Sequence, residues 1–257
     1  MSEQTTRGHV AIVTGASSGI GAATANALSA AGARVMAVAR GKDRLEQVAR
    51  AGGFDHLVAT VDDPAECERI ITETRQRLGP ISILINNAGR GGYLDGPIWG
   101  QSEDGWNETM SVNLDAPFRL TKLALPDMVE QRFGRIIMVS STAGQVGGSG
   151  MAPYCASKSG LLGLMRSVAQ DVAPFGITCN AVLPGWVRTE MAERDAEGEA
   201  TRRGLSVDEV WNERAASYSA GRVVAPEEVA AVIKFLAGAD SSGVNGEGIT
   251  VALGGVW

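Results

Sequence analysis

The sequence predicts one α/β domain, a seven-stranded parallel sheet that is doubly wound, with helices on both faces. Three observations predict it. Short apolar runs bounded by turn residues alternate with stretches whose apolar residues recur at three- and four-residue spacing. The runs are nearly continuous Val, Ile and Leu instead of an in-and-out alternation, as in strands covered on both sides. The 257 residues, 44% hydrophobic, suffice for one sizeable core, and no linker, repeat or composition shift divides them. With right-handed crossovers this is a Rossmann-type architecture.

The first strand, His9–Val13, leads into Thr14-Gly15-Ala16-Ser17-Ser18-Gly19-Ile20-Gly21, which opens a helix over Ile20–Ala31. A glycine-rich turn between strand and helix lets the backbone approach a pyrophosphate held at the positive helix N-terminus. The second strand, Arg34–Ala39, ends on Arg40. NAD-binding turns present a carboxylate there to the ribose 2′-hydroxyl, whereas Arg40 suits a 2′-phosphate, so the cofactor expected is NADP(H), with NAD(H) as the alternative. Lys42 and Arg44 begin the next helix and are expected to be solvated. Strands follow at His56–Val61 and Ile81–Ile85, separated by a helix over Pro64–Leu78. Long helices are expected at Glu103–Glu130 and Ala152–Pro174, on either side of a strand at Arg135–Ser140. A sixth strand, Ile177–Leu183, a helix, Pro226–Ala237, and a last strand, Gly248–Leu253, complete the alternation.

Tyr154 and Lys158 are four residues apart, so on a helix they share a face with Cβ atoms roughly 5–6 Å apart. A neighbouring ammonium favours the phenolate and lowers a tyrosine pKa from about 10, which makes the side chain an acid and base usable near neutrality. Between Arg188 and Gly221 lies an insertion with five basic and eight acidic residues, including a short amphipathic helix at Val207–Trp211. It reads either as a solvated face or as a lid over a substrate, because it follows the carboxyl end of a strand, where open α/β sheets bind ligands.

Composition excludes several classes. A net charge of −6 gives no basic excess for nucleic acid or an anionic membrane. No apolar run approaches the length of a membrane span, and Met1–His9 lacks the pattern of a secretory signal, so a cytoplasmic protein is expected. Three scattered cysteines, Cys67, Cys155 and Cys179, make a disulfide framework improbable, and two histidines cannot supply a zinc cluster or a histidine-based triad. No metal is expected. Cys155, beside the key tyrosine, reads as a small buried apolar residue.

Taken together, Thr14-Gly15 with Gly19 and Gly21, Asn86-Asn87-Ala88-Gly89, Asn113, Ser141, Tyr154 with Lys158, and Pro184-Gly185 with Thr189 resemble the short-chain dehydrogenases/reductases across almost the whole chain. The resemblance implies that Tyr154 is the general acid and base. It further implies that Lys158 lowers the tyrosine pKa and binds the nicotinamide ribose, and that Ser141, instead of Ser140, binds the substrate oxygen. Asn113 would hold a water that connects Lys158 to solvent. Gly15, Ser17, Ser18, Gly19, Ile20, Gly21, Arg40, Asn87, Ala88, Gly89, Pro184, Gly185, Val187 and Thr189, with Tyr154 and Lys158, would bind the cofactor. The chain departs from many relatives at Thr60, where an aspartate near the adenine is usual, with Asp62 and Asp63 shifted along.

Arg40-Gly41, the sequence Gly89-Arg90-Gly91-Gly92 and Ala152-Pro153-Tyr154 are similar to bacterial 3-oxoacyl and polyketide ketoreductases. The insertion and tail are more similar to 3-hydroxybutyrate dehydrogenases. The expected reaction is hydride transfer between NADP(H) and a ketone or secondary alcohol of moderate size. The alternatives are an NAD-dependent alcohol or 3-hydroxyacid dehydrogenase, or a non-catalytic nucleotide-binding protein on the same fold. Gln145, Val146, Trp186, Met191 and Trp211 are either an apolar pocket wall or core packing. By the same resemblance, a homotetramer is expected through the two long helices and the last strand and helix.

Overall fold

The computed structural model describes residues 6–91 and 96–255. Gly92, singled out above, lies outside them. The sheet has seven parallel strands in the order β3-β2-β1-β4-β5-β6-β7. These are β1 Val10–Thr14, β2 Arg34–Ala39, β3 Asp55–Val58, β4 Ile81–Asn86, β5 Gly134–Val139, β6 Ile177–Pro184 and β7 Gly248–Val251. Strand order reverses between β1 and β4, which places a crevice outside their carboxyl ends.

The helices are α1 Gly19–Ala30, α2 Lys42–Gly52, α3 Pro64–Leu78, α4 Glu103–Met110, α5 Ala116–Gln131, α6 Ala152–Val172, α7 Glu190–Arg203, α8 Val207–Ala216 and α9 Pro226–Ala237. Alternate residues of the central strands feed two separate cores. Ile12, Met36, Leu84, Ile136 and Leu183 pack with residues of α3, α5 and α6 on one face. Val13, Val35, Ile85, Val139 and Val182 pack with residues of α1 and α9 on the other. Burial on both faces is why these strands read as continuous apolar runs.

Several elements differ from expectation, among them α7, which is a helix where none is expected. β3 stops at Val58 because β2, its partner, ends at Ala39 opposite it. β7 likewise ends at Val251, opposite the last residue of β6. The single helix expected over Glu103–Glu130 is α4 and α5 joined by a π-helical turn at Ser111–Asp115. In a regular α-helix the carbonyl of Asn113 would accept from residue 117, which is Pro117 and has no N–H. The widened turn sits where that bond cannot form.

At the opposite end of the sheet, Arg135 is almost fully buried yet has no acidic partner among the described residues. Its guanidinium donates to the carbonyls of Gly238 (3.0 Å), Gly134 (2.8 Å) and Gly176 (3.3 Å) and stacks on Phe133, whose other contact is His9. Gly238 terminates α9, so the cation also faces the negative end of that helix. Arg135→Leu should remove a charged donor from these buried carbonyls, of which Gly238 keeps the Ser241 hydroxyl (3.0 Å), at a cost of roughly 1.5–3 kcal/mol. Urea unfolding should show the lower midpoint, and an unchanged midpoint would contradict the structural role assigned to this arginine.

Candidate active site

The ends of β1 and β4 are clasped together at the strand-order reversal. The Thr14 hydroxyl donates to the Ile85 carbonyl (3.2 Å) and accepts from the N–H groups of Asn87 and Ala88 (3.0 Å each). The Asn87 amide returns to the carbonyls of Thr14 (2.8 Å) and Gly15 (3.3 Å). This clasp fixes the glycine turn. A Cβ on Gly21 would come within 2.2 Å of the Gly15 carbonyl oxygen, so no side chain fits there. Gly15 has φ +66° and is pressed against Asn87 and Ala88.

α1 begins directly after this turn. Ser18 is its N-cap but makes no side-chain cap bond, and its carbonyl takes the N–H of Ala22. No side chain caps the preceding N–H groups, an arrangement suited to an anion. A Cβ on Gly19 would come within 2.9 Å of Thr189, so the loop after β6 borders the same helix end. Arg40 is exposed at the end of β2 and forms no hydrogen bond or ion pair among the described residues. Arg44 is exposed, as expected, and also pairs with Glu190 in the first turn of α7, with one N–H···O distance of 2.8 Å. Thr60 bonds to Asp62, and Asp63 caps α3, so the carboxylates after β3 are engaged locally.

α6 carries Tyr154 and Lys158 against the end of β5. Ser140 donates to the Lys158 carbonyl (3.0 Å), while the buried ammonium of Lys158 donates to the Val139 carbonyl (2.9 Å). That use of Ser140 leaves Ser141 as the hydroxyl facing the tyrosine. Ser141 Oγ accepts from the N–H of Ala143 (3.1 Å), freeing its proton, and the hydroxyl hydrogen-bonds to Tyr154. Lys158 Nζ lies 5.7 Å from the Tyr154 ring centroid.

The charge states differ from those expected. Burial pushes the Tyr154 phenol up to about 12, against the downward pull of Ser141, and the Asp195 and Cys155 charges add to the rise. Burial also lowers Lys158 to about 8. The expected depression of Tyr154 by Lys158 is therefore absent from the free protein. Each group resists charging, so the phenol favours its neutral, proton-donating form.

Asn113 is fully buried, and both of its amide N–H groups are occupied, donating to the Arg90 carbonyl (3.1 Å) and Ser157 Oγ (3.1 Å). Its Oδ1 accepts from the Arg90 N–H (2.7 Å). A water held here would therefore meet an acceptor, either the second lone pair of Oδ1 or the main-chain carbonyl opposite Pro117. A Cβ on Gly89 would lie 3.6 Å from both Asn113 Oδ1 and Lys158 Nζ, so this glycine borders the space between them.

The insertion at 188–221 folds as α7 and α8 around its own small core of Ala192, Ala196, Ala200, Val210 and Trp211. Its base is stapled where Val187 pairs with Val224 and the Val224 N–H donates to the Trp186 carbonyl (2.9 Å). Trp211 is 5% exposed and donates its indole N–H to Glu193 (2.7 Å), which places it in the packing of the insertion. The guanidinium of Arg214 stacks on Trp186 (3.8 Å) and Trp211 (4.9 Å). Met191 is exposed on α7, whereas Gln145 and Val146 follow the turn after Ser141. Sequence reasoning missed Arg214, Asp195 and Tyr218. The last lends its hydroxyl oxygen to the Trp186 N–H (2.6 Å) and leaves Gly185 no room for a side chain.

Among the described residues there is no cluster able to hold a metal ion and no helix long and apolar enough to cross a membrane. Comparison with known proteins gives this geometry a lineage. The model of the short chain dehydrogenase family matches residues 9–200. The chain is 36% identical over 246 residues to the 3-oxoacyl-[acyl-carrier-protein] reductase FabG of Salmonella typhimurium, covering 95% of this chain and 96% of the relative. It is 39% identical over 252 residues to the granaticin polyketide synthase putative ketoacyl reductase 1 of Streptomyces violaceoruber, covering 95% and 92%. A solved structure of a tryptophan-for-phenylalanine variant of actinorhodin polyketide ketoreductase with NADPH superimposes with a TM-score of 0.92 at 36% identity, covering 99% of this chain and 98% of that one. Levodione reductase gives 0.92 at 30% identity, covering 97% and 98%. The chain belongs to the short-chain dehydrogenase family.

Proposed function

We propose that the protein is an NADP(H)-dependent carbonyl reductase in which Tyr154 donates a proton to the substrate oxygen. The observation that carries this reading is the placement of Tyr154, hydrogen-bonded to Ser141 and packed beside Lys158, at the strand ends next to a helix N-terminus whose N-cap side chain makes no cap bond. The relatives' names, reductases of 3-oxoacyl and ketoacyl groups, support a ketone as the reducible group.

Gly15, Ser17, Ser18, Gly19, Ile20 and Gly21 would hold the pyrophosphate, and Arg40 the 2′-phosphate. Asn87, Ala88, Gly89, Pro184, Gly185, Val187 and Thr189 would border the nicotinamide half. When bound, the nicotinamide supplies the hydride. Ser141 donates to the carbonyl oxygen as it gains charge, and Tyr154 delivers the proton. Lys158 binds the ribose hydroxyls and favours the phenolate left behind, and a water at Asn113 returns a proton through Lys158. Ser141, Tyr154, Lys158 and Asn113 are all present, so a non-catalytic nucleotide-binding role has no support.

The segment 188–221 acts as a lid, and its acidic balance argues against docking an acidic carrier protein. Exposed Trp106, Phe118 and Phe235, on α4, α5 and α9, favour a homotetramer formed through those helices. Three unpaired thiols suit a reducing, cytoplasmic setting.

Paired titrations with NADPH and NADH test the cofactor. NADPH should bind more tightly, and Arg40→Ala should weaken NADPH tenfold or more while leaving NADH unchanged, as loss of a charge-assisted contact of about 1.5–3 kcal/mol predicts. Tighter binding of NADH would overturn the role of Arg40. Because burial lowers Lys158 to about 8, its ammonium is lost as pH rises through that value. With NADPH limiting, kcat/KM reports the free protein and should fall on the alkaline side near pH 8. In Lys158→Arg, whose cation does not titrate, this limb should vanish whatever the residual rate.

A further inference from the structure

The lid presents one half-buried acidic group that its own packing does not use. Glu190, Glu193, Glu199, Glu209 and Glu213 each have a hydrogen-bond or ion-pair partner. Glu197 and Asp208 are exposed. Asp195 is half-buried and has no hydrogen bond or ion pair among the described residues. Its nearest cations, Arg214, Arg202 and Arg194, act on it only at longer range, and burial keeps its carboxyl above the usual range.

Its position is at the site. Met191 and Asp195, one turn apart on α7, both overhang Gly91 in the loop after β4. A Cβ on Gly91 would stand 3.2 Å from Asp195 Oδ2, 3.3 Å from Oδ1 and 3.3 Å from Met191 Cγ. The neighbouring residue, Arg90, holds Asn113 through its main chain. After burial, the charge of Asp195 is among the influences felt by the Tyr154 hydroxyl, so the carboxylate shares the space above the reacting group.

We propose that Asp195 is a specificity-determining residue that accepts a hydrogen bond from the substrate, so that the ketone carries a hydroxyl or amine donor away from its carbonyl and no negative charge at that end. The assignment rests on the reductase reading and narrows its substrate class. A half-buried carboxylate without a donor is costly, and a ligand O–H or N–H removes that cost. The same group repels a carboxylate or phosphate and gains nothing from a substrate that is only hydrocarbon at that end.

The test uses tetralone, its ring-hydroxylated positional isomers and a ring-carboxylated analogue. Affinities are read by quenching of tryptophan fluorescence with and without NADP⁺, and turnover with NADPH. The wild-type protein should bind at least one hydroxylated isomer tenfold or more tightly than tetralone, and the carboxylated analogue most weakly. In Asp195→Leu the hydroxyl preference should disappear, the KM values of that variant for the hydroxylated isomers and for tetralone becoming equal whatever its kcat. In Asp195→Asn part of the hydroxyl preference should remain while discrimination against the carboxylate is lost. Unchanged NADPH affinity establishes that the variants fold. Identical affinity ratios in all three proteins would overturn the proposal. Ratios that follow the expected pattern without any turnover would leave Asp195 in place and sink the reductase reading instead.

Discussion

The site depends on one docking contact, that of α6 against the carboxyl end of β5. Two bonds make it, the Lys158 ammonium on the Val139 carbonyl and the Ser140 hydroxyl on the Lys158 carbonyl. Both are buried, where hydrogen bonds are strong and unpaired groups expensive, so strand and helix are held in one register. Gly144 enforces the same closeness, since a Cβ there would come within 2.9 Å of the Lys158 carbonyl oxygen. The register sets Ser141 against Tyr154.

The cofactor side rests on an analogous restriction at the sheet centre. Thr14 and Asn87 tie β1 to β4, and Gly15 and Gly21 exist because the clasp leaves no room for a Cβ. Oriented backbone donors at the start of α1, the guanidinium of Arg40, unpaired among the described residues, and Tyr154 then lie along one edge of the sheet. The segment 188–221 reaches across that edge, pairing Glu190 with Arg44 on one side and leaving Asp195 above Gly91 on the other.

Much of this was legible in the sequence, for physical reasons. Strands buried on both faces print as apolar runs, and glycines that cannot be replaced print as a motif. Tyr154 and Lys158 declared themselves by helical spacing. What escaped notice depended on contacts remote in sequence. α7 hid because its buried stripe is Ala192, Ala196 and Ala200, too small to stand out among the charges around them. The π-turn at Asn113 hid inside a good helical pattern, although Pro117 marked where a carbonyl would lose its partner. Spacing along the helix shows that Tyr154 and Lys158 are neighbours, whereas the burial that pushes the phenol up to about 12 and the ammonium down to about 8 appears only once the chain is folded.

The central claim is that a neutral Tyr154 phenol supplies the proton for ketone reduction. Single-turnover reaction of protein-bound NADPH with a ketone, in the wild-type protein and in Tyr154→Phe, tests it most directly. The account predicts that the variant binds NADPH as tightly as the wild-type protein yet oxidises it at least a hundredfold more slowly, since general-acid catalysis contributes typically 10²–10⁴-fold. Hydride transfer at the wild-type rate in Tyr154→Phe would contradict it.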